Sequence, residues 1–457
     1  MDEPADVLII GGGIAGLSCA MACARRGLSW TLLEASDRLG GRVTTDSVDG
    51  HLLDRGFQVF LNAYPEARGT LDLPALDMRA FAPGAAIFRG GRWSRIAHPL
   101  KRPATAIGSI LSGAVSVSDA VRLLPVARRA ARGRIVPPDA SARGEPVPGE
   151  SGDPLVRQAT GKVPLVPTAA DALREWGVSD ALVGSFFRPF FGGVFLDRSL
   201  GSDRRSFEFR LAMFARGDTV VPARGMGRIP EQMAGRLDAT RVRTGCRVMA
   251  LSRAGGVWRA EAQAGNTFAG RAAVVATDGA SARSLVDGLP ERTWCETATL
   301  HYSFPAAGAP AQCLEPWLML DGEGAGPVNH AAAMSAVSPE YAPHGRVLLG
   351  ASVVDAAALA RDDESLDAAV RAQMSTWFPS HAPRAWRLLR IDRIRQALPR
   401  QHPSDLAQRG GADRGGGLFA CGDHMGDGSI NGAMQSGRLA AELALAHAAA
   451  RSGPVSA

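Results

Sequence analysis

ADVLIIGGGIAGLSCAMACARRGLSWTLLEASDRLGGRV, residues 5–43, is the stretch on which the fold turns. DVLII (6–10) is an apolar run of strand length, and glycines follow it at once. A helical pattern runs from about Ala15 to Arg26 and closes at Gly27; SWTLLEA then reads as a second strand. Strand, helix and strand within about 30 residues form a parallel unit closed by a right-handed crossover. Gly11 permits the tight turn, Gly13 lets the backbone approach a pyrophosphate, and Gly16 lets helix and strand pack closely. At Ile14 and Ala15 the helix would offer unpaired N–H groups and a positive dipole end to phosphates. The glycine loop alone leaves NAD, FAD and a plain turn open. Glu34, beside Ala35 at the end of the second strand, narrows this. Its carboxylate can accept from ribose hydroxyls and would repel a 2′-phosphate, which predicts a dinucleotide site without that phosphate.

The surrounding chain sets the limits. With 457 residues, 46% hydrophobic and 21% charged, it has the make-up of a globular protein with two or three packing units. The start, Met1-Asp2-Glu3-Pro4, carries no basic or cleavable leader pattern. Pro103–Ser118 is uncharged but too short and too polar to span a bilayer. The formal charge of +6 is concentrated: Lys101, Arg102, Arg122, Arg128, Arg129, Arg132 and Arg134 stand against Asp119 alone. No recognition motif or aromatic-interleaved basic surface accompanies them, so nucleic-acid binding is not expected. Cys19, Cys23, Cys246, Cys295, Cys313 and Cys421 form no CxxC pair and no zinc spacing. Reduced thiols, no metal and a cytoplasmic location are expected.

Two further stretches carry a family resemblance. Gly40-Gly41-Arg42 follows Glu34, and LFACGDHMGDGSINGAMQSGRLAAELAL (418–445) closes the chain. Together they resemble the signatures of the flavin amine oxidase and phytoene desaturase superfamily, as a bacterial-type, protoporphyrinogen-oxidase-like member. DRGFQVF (54–60) and PARGMGRIPEQMAGRL with GCRVMAL (222–237 and 245–251) are similar to weaker segments of the same superfamily. The resemblance implies FAD as cofactor. It implies that Gly41 lets the backbone pass close to the cofactor and that Arg42 forks onto phosphate oxygens. It implies that Gly56, Phe57, Gln58 and Val59 run past the isoalloxazine and that Val248 touches adenine. It places Gly422 and Asp423 at the ribityl-pyrophosphate. It sets Ser429, Ile430, Asn431 and Ala433 where a helix N-terminus meets the flavin pyrimidine and steadies negative charge on the reduced ring.

The expected fold class is α/β: a Rossmann-type FAD-binding domain built from discontinuous segments, plus an α+β substrate domain. Residues 1–95, 217–290 and 409–450 would form the first. Residues 96–216, with a Pro/Gly/Ser-rich loop insert near 136–168, and 291–408 would form the second, leaving a tail at 451–457. Residues 96–135 look helical and basic. Thr168 is the predicted N-cap of a helix that breaks at Gly177.

In this family a hydride equivalent passes from a small-molecule substrate to flavin N5, which asks for positioning more than for a strong acid or base. An amine or amino-acid oxidase using O2 is one reading. Such enzymes usually hold a lysine near N5, whereas residues 296–304, ETATLHYSF, contain none. A desaturase or dehydrogenase of a lipophilic substrate is the preferred reading. The basic, partly apolar segment 101–134 fits a surface meeting anionic lipid, and so a peripheral membrane contact. A porphyrinogen-type oxidase and a non-catalytic FAD-fold or chaperone-like protein complete the alternatives. His301, Tyr302, His330 and His424 are the candidate catalytic side chains. Tyr341 and Asp427 are further candidates near the pocket, and Phe190, Phe191, Gly192 and Gly193 suggest a bend beside it. The oligomeric state stays open.

Overall fold

A computed structural model describes residues 3–97, 101–132, 166–407 and 411–451. Arg134, most of the insert expected at 136–168 and the tail beyond 451 lie outside them.

Ala5–Ile10 sits at the centre of the first sheet, with Trp30–Leu33 and Thr267–Val275 parallel on its two sides. Val242–Arg243 extends the sheet beyond Trp30–Leu33, and Leu418–Ala420 pairs parallel with Thr267–Val275. Val7 to Ile10 are buried because both faces of the sheet are covered, which explains the unbroken apolar run. Val248–Ala254 and Val257–Ala262 attach as an antiparallel meander, so the sheet is mixed.

Glycine is required where backbones meet. Gly11 has φ +106°, and a Cβ on Gly16 would lie 1.9 Å from the Gly11 carbonyl oxygen. The first helix, Ile14–Arg25, therefore begins hard against the turn. The last helix, Ile430–Arg451, packs along it. A Cβ on Gly437 would lie 2.0 Å from the Ala15 carbonyl oxygen, and the Ser18 hydroxyl donates to the Met434 carbonyl at 2.7 Å.

The second sheet has seven strands, in the order Arg387–Pro399, Trp294–Pro305, Arg346–Val353, Val328–Ala333, Leu318–Asp321, Gly84–Arg89 and Arg92–Ala97. All pairs are antiparallel except Leu318–Asp321 with Gly84–Arg89. The hairpin Gly84–Ala97, expected within the first nucleotide-binding segment, thus belongs to the other sheet. Alternation divides its faces: Ala86 and Phe88 join the core under helix Asp363–Trp377, while Ala85 and Ile87 join the core under the helices between 169 and 214.

Thr168 caps helix Ala169–Glu175 in a reciprocal capping box with Asp171, and Gly177 breaks the helix at φ +68°. The helical, basic segment expected at 96–135 supplies Pro103–Leu111, preceded by Lys101 and Arg102, and Val117–Ala131, which carries Arg122, Arg128 and Arg129 and is capped by Ser116. The alternating stretch 51–60 holds strand His51–Asp54 and the start of strand Phe60–Leu61, with no ladder between Asp54 and Phe60. Gly56 has φ +81°, and the N–H groups of Gly56 and Phe57 donate instead to Asp392 and Thr299 side chains. Among the described residues no helix is long and apolar enough to cross a membrane.

The helix contact yields a test. Gly437→Leu forces a side chain into the Ala15 backbone, where overpacking costs on the order of 1–3 kcal/mol or more. The thermal midpoint is expected to fall by several degrees. Gly69→Ala, where a Cβ meets nothing within 4 Å, is expected to leave it unchanged.

Candidate functional site

A cavity of about 1410 Å³ runs between the two sheets and out to helices Pro103–Leu111 and Val117–Ala131. Small-molecule sites usually occupy about 300–1,000 Å³. This volume therefore suits a dinucleotide and a second ligand together.

One end is the glycine cradle. Gly11, Gly13, Ile14 and Ala15 line it. A side chain at Gly13, whose φ is −74°, would meet no protein atom within 4 Å, so the space beside it is open. The Gly40 N–H donates to the Gly12 carbonyl at 2.9 Å, which brings Gly41 against Gly13. Glu34 and Ala35 face the same space. The Glu34 carboxylate accepts from the Gly12 N–H at 2.6 Å and from the Ser36 N–H and hydroxyl at 2.8 Å. It thus fixes the turn as well as facing the cavity. Val248 lines the wall nearby, with Thr277 and Asp278, which the motifs gave no reason to single out.

Arg42 also lines the cavity, but its guanidinium is engaged. One Nη donates to Asp423 at 2.6 Å and the other to the Ala397 carbonyl at 2.8 Å. The expected phosphate fork is instead a clasp that ties the loop after the second strand to strand Arg387–Pro399 and to the closing loop. Gly422 and Asp423 stand at this clasp, facing the cavity.

Deeper in, Gly56, Phe57, Gln58 and Val59 form one wall. Gln58 donates to the Arg42 carbonyl at 2.8 Å, coupling this wall to the clasp. Opposite, Ser429, Ile430 and Ala433 bring the N-terminus of the last helix to the cavity. The Ser429 hydroxyl donates to Asp427 at 2.7 Å, and Asp427 forms a buried ion pair with Arg210, a residue the sequence reading did not single out. Tyr64 beside them is pushed up to about 12 by burial. Asn431 is turned aside: its Oδ1 accepts from the Glu66 N–H at 3.1 Å, and it does not line the cavity. Gly16 likewise serves packing alone.

The candidate catalytic side chains separate. His301 and Tyr302 are strand neighbours and point to opposite faces. His301 Nε2 meets Asp392 at 3.0 Å, and Asp392 accepts from the Gly56 N–H. The Tyr302 hydroxyl donates to Asp367 at 2.6 Å beneath helix Asp363–Trp377, and burial raises its pKa. The Tyr341 hydroxyl donates to Asp54 at 2.7 Å. His424 is buried against Trp294, and burial lowers its pKa. None of these four lines the cavity, so the expectation of a catalytic contact is corrected to structural pairing for three and to burial for His424. His330 does line it, and burial pushes its imidazole down to about 3, which keeps it neutral.

Beyond Phe57 the cavity becomes apolar. Phe186, Phe187, Phe190, Phe191 and Phe214 form its wall, with Phe191 against Phe187 at 6.2 Å and Phe190 against Phe214 at 5.1 Å. The bend expected at 190–193 is absent: these residues lie inside the regular helix Arg188–Phe195, with no positive φ among them. A wider π-helical turn at Val183–Phe187 leads into that helix. Among the described lining residues of this half, charge is confined to Lys101 and Asp218, paired with each other at 2.9 Å, and Arg210, paired with Asp427 behind the wall. At the outer end Ile107, Val117 and Val121 both line the cavity and stand 59%, 66% and 66% exposed, with Leu111 beside them at 83%. The cavity therefore opens between these two helices.

The profile of the flavin containing amine oxidoreductase family matches residues 14–445. The carotenoid phi-ring synthase of Streptomyces griseus is 37% identical over 134 residues, covering 27% of this chain. The chain spans 26% of that relative's length. The coproporphyrinogen III oxidase of Bacillus subtilis is 25% identical over 384 residues, covering 77% of this chain and 78% of the relative. In fold, the cyclohexylamine oxidase of Brevibacterium oxydans superposes with a TM-score of 0.67 at 16% identity, covering 98% of this chain and 100% of that one.

The open space at Gly13 is testable. Gly13→Leu needs no change of backbone, yet fills the cradle where a pyrophosphate would lie. The purified variant is expected to fold, by circular dichroism, and to carry little FAD by visible absorbance.

Proposed function

The chain belongs to the flavin containing amine oxidoreductase family and is an FAD-dependent enzyme, and we propose that it oxidises a long lipophilic substrate drawn from a membrane surface. When bound, FAD supplies an acceptor for a hydride equivalent at the flavin N5. The residues fit it: the cradle at Gly11–Gly13, the carboxylate of Glu34, the walls at Gly56–Val59, and the helix N-terminus at Ile430 line one continuous space.

One observation carries the substrate reading: the cavity continues from Phe57 along phenylalanine walls to an exposed apolar mouth. An ammonium substrate needs a carboxylate to offset its desolvation. Asp218, the carboxylate of the apolar half, is already engaged by Lys101. An apolar chain meets only matching surface there, and its burial is worth about 25 cal/mol per Å². The same walls exclude water around the reacting bond. A relative whose name refers to a carotenoid agrees with this reading.

The mouth fits a lipid surface. Ile107, Leu111, Val117 and Val121 project from two helices that also carry exposed Arg102, Arg122, Arg128, Arg129 and Arg132. Apolar side chains on such helices insert at the headgroup boundary, and each cation near an anionic leaflet adds about 1 kcal/mol.

One experiment addresses both parts. FAD-loaded protein is mixed without oxygen with unsaturated isoprenoids, either in anionic vesicles or in detergent, and separately with mono- and polyamines. Isoprenoids are expected to bleach the oxidised flavin absorbance and amines to leave it. The double substitution Ile107→Glu with Leu111→Glu is expected to slow bleaching from vesicles roughly ten-fold, with little effect from detergent. Bleaching by amines alone would overturn the reading.

A further inference from the structure

His330 lies in strand Val328–Ala333, buried, on the inner wall of the cavity. Its surroundings fix its chemistry. The Asn329 side-chain amide donates to the Pro189 carbonyl at 2.8 Å, which can only accept, so the nitrogen of that amide is assigned. The same nitrogen stands 3.0 Å from His330 Nδ1, which must then be the acceptor. A neutral imidazole that accepts at Nδ1 carries its proton on Nε2. Burial keeps the ring neutral, holding its pKa down at about 3. Two contacts hold the plane. Phe57 meets the ring edge-on, with centroids 4.5 Å apart. Gly193 leaves room for it, since a Cβ there would lie 2.8 Å from Nδ1 and 2.9 Å from Cε1. The imidazole thus cannot turn without losing Asn329 or striking the helix Arg188–Phe195.

Nε2–H therefore remains for the cavity, and it meets no acceptor among the described residues. The ring's other contacts, Phe57 and Gly193, offer none from their side chains. A pure hydrocarbon seated there would leave a buried donor without a partner, a cost borne by every such complex. A ligand with an oxygen at that height would satisfy it. Sites built around a fixed hydrogen-bonding group discriminate strongly against analogues that lack the matching atom.

We infer that His330 is a specificity-determining residue: a fixed, uncharged donor that selects lipophilic substrates carrying a hydrogen-bond acceptor oxygen near the bond oxidised, over hydrocarbons of the same length. This rests on the proposal of an apolar substrate in this cavity and adds its polar mark. The oxygen is a carbonyl, ether or hydroxyl on an otherwise apolar chain. A carboxylate is disfavoured, because a neutral donor among phenylalanines does not compensate a buried charge.

The test uses FAD-loaded protein and an apolar, environment-sensitive dye bound in the cavity. A long-chain methyl ketone and the alkane of the same length are each titrated in to displace the dye. For the native protein the ketone is expected to bind about ten-fold tighter than the alkane, the scale of one unpaired buried donor. In His330→Phe, which keeps an aromatic ring but no donor, the ratio is expected to fall to about one. The alkane should bind that variant no more weakly than it binds the native protein. His330→Gln, which restores an N–H, is expected to recover part of the preference. Visible flavin absorbance reports that each variant is folded and loaded. Equal affinities in the native protein would overturn the inference without any variant. So would a ketone preference that persists in His330→Phe. Failure of both ligands to displace the dye would instead overturn the apolar-cavity proposal on which the inference rests.

Discussion

The backbone contact between the first helix and the last holds the site together. Gly437 sits against the Ala15 carbonyl and Ser18 bonds to the Met434 carbonyl, so two helices from opposite ends of the chain lie in contact. Their N-termini, at Ile14 and Ile430, both open onto one cavity. A helix N-terminus suits phosphate at the first position and developing negative charge at the second. A larger residue at Gly437 would push the helices apart and separate these two ends. The Arg42 clasp on Asp423 and Ala397 then ties the second sheet to the same assembly. Cofactor cradle and substrate wall are therefore fixed relative to each other by a handful of contacts, most of them to backbone.

From that frame the polarity of the cavity follows its depth. The cradle is glycine, backbone amide and the carboxylate of Glu34, with Asp278 and Asp423 beside it. The middle is the segment Gly56–Val59, whose leading amides are held by Asp392 and Thr299 of the second sheet. Beyond it the walls are phenylalanine and aliphatic side chains out to the exposed helices. This gradient, from hydrogen-bonding to apolar, is what a chain of low polarity reacting at a polar cofactor requires. The Asp392–His301 pair stands behind this wall: Asp392 accepts from the Gly56 N–H, and neither side chain lines the cavity.

What was legible in the sequence is what the backbone demands locally. Gly11, Gly16, Glu34 and the helix start at Ile430 could be read because a turn, a close approach or a helix start constrains residue type at short range, whereas Asn431 and His424 in the same closing segment turn away from the cavity. Side-chain direction on the second sheet could not. His301 and Tyr302 looked alike as candidates, but their partners, Asp392 and Asp367, lie far along the chain and on opposite faces. The hairpin at 84–97 was misassigned for the same reason, because its parallel partner Leu318–Asp321 is remote. Phe190 and Phe191 could not be told from core packing by sequence, since core and pocket are both apolar. Asp427 was a candidate, but its partner Arg210 escaped notice because a buried ion pair between distant segments leaves no local pattern.

The central claim is that one cavity joins the cofactor to the exposed helices and holds an apolar chain along its length. A crystal structure of the FAD-loaded protein soaked with a long-chain isoprenoid tests it most directly. Density for the chain is expected to begin beside Phe57 and His330, pass the walls at Phe186 and Phe214, and reach the helices Pro103–Leu111 and Val117–Ala131. An isoalloxazine that closes the space at Phe57, or a cavity sealed by the phenylalanines with no chain inside, would contradict it.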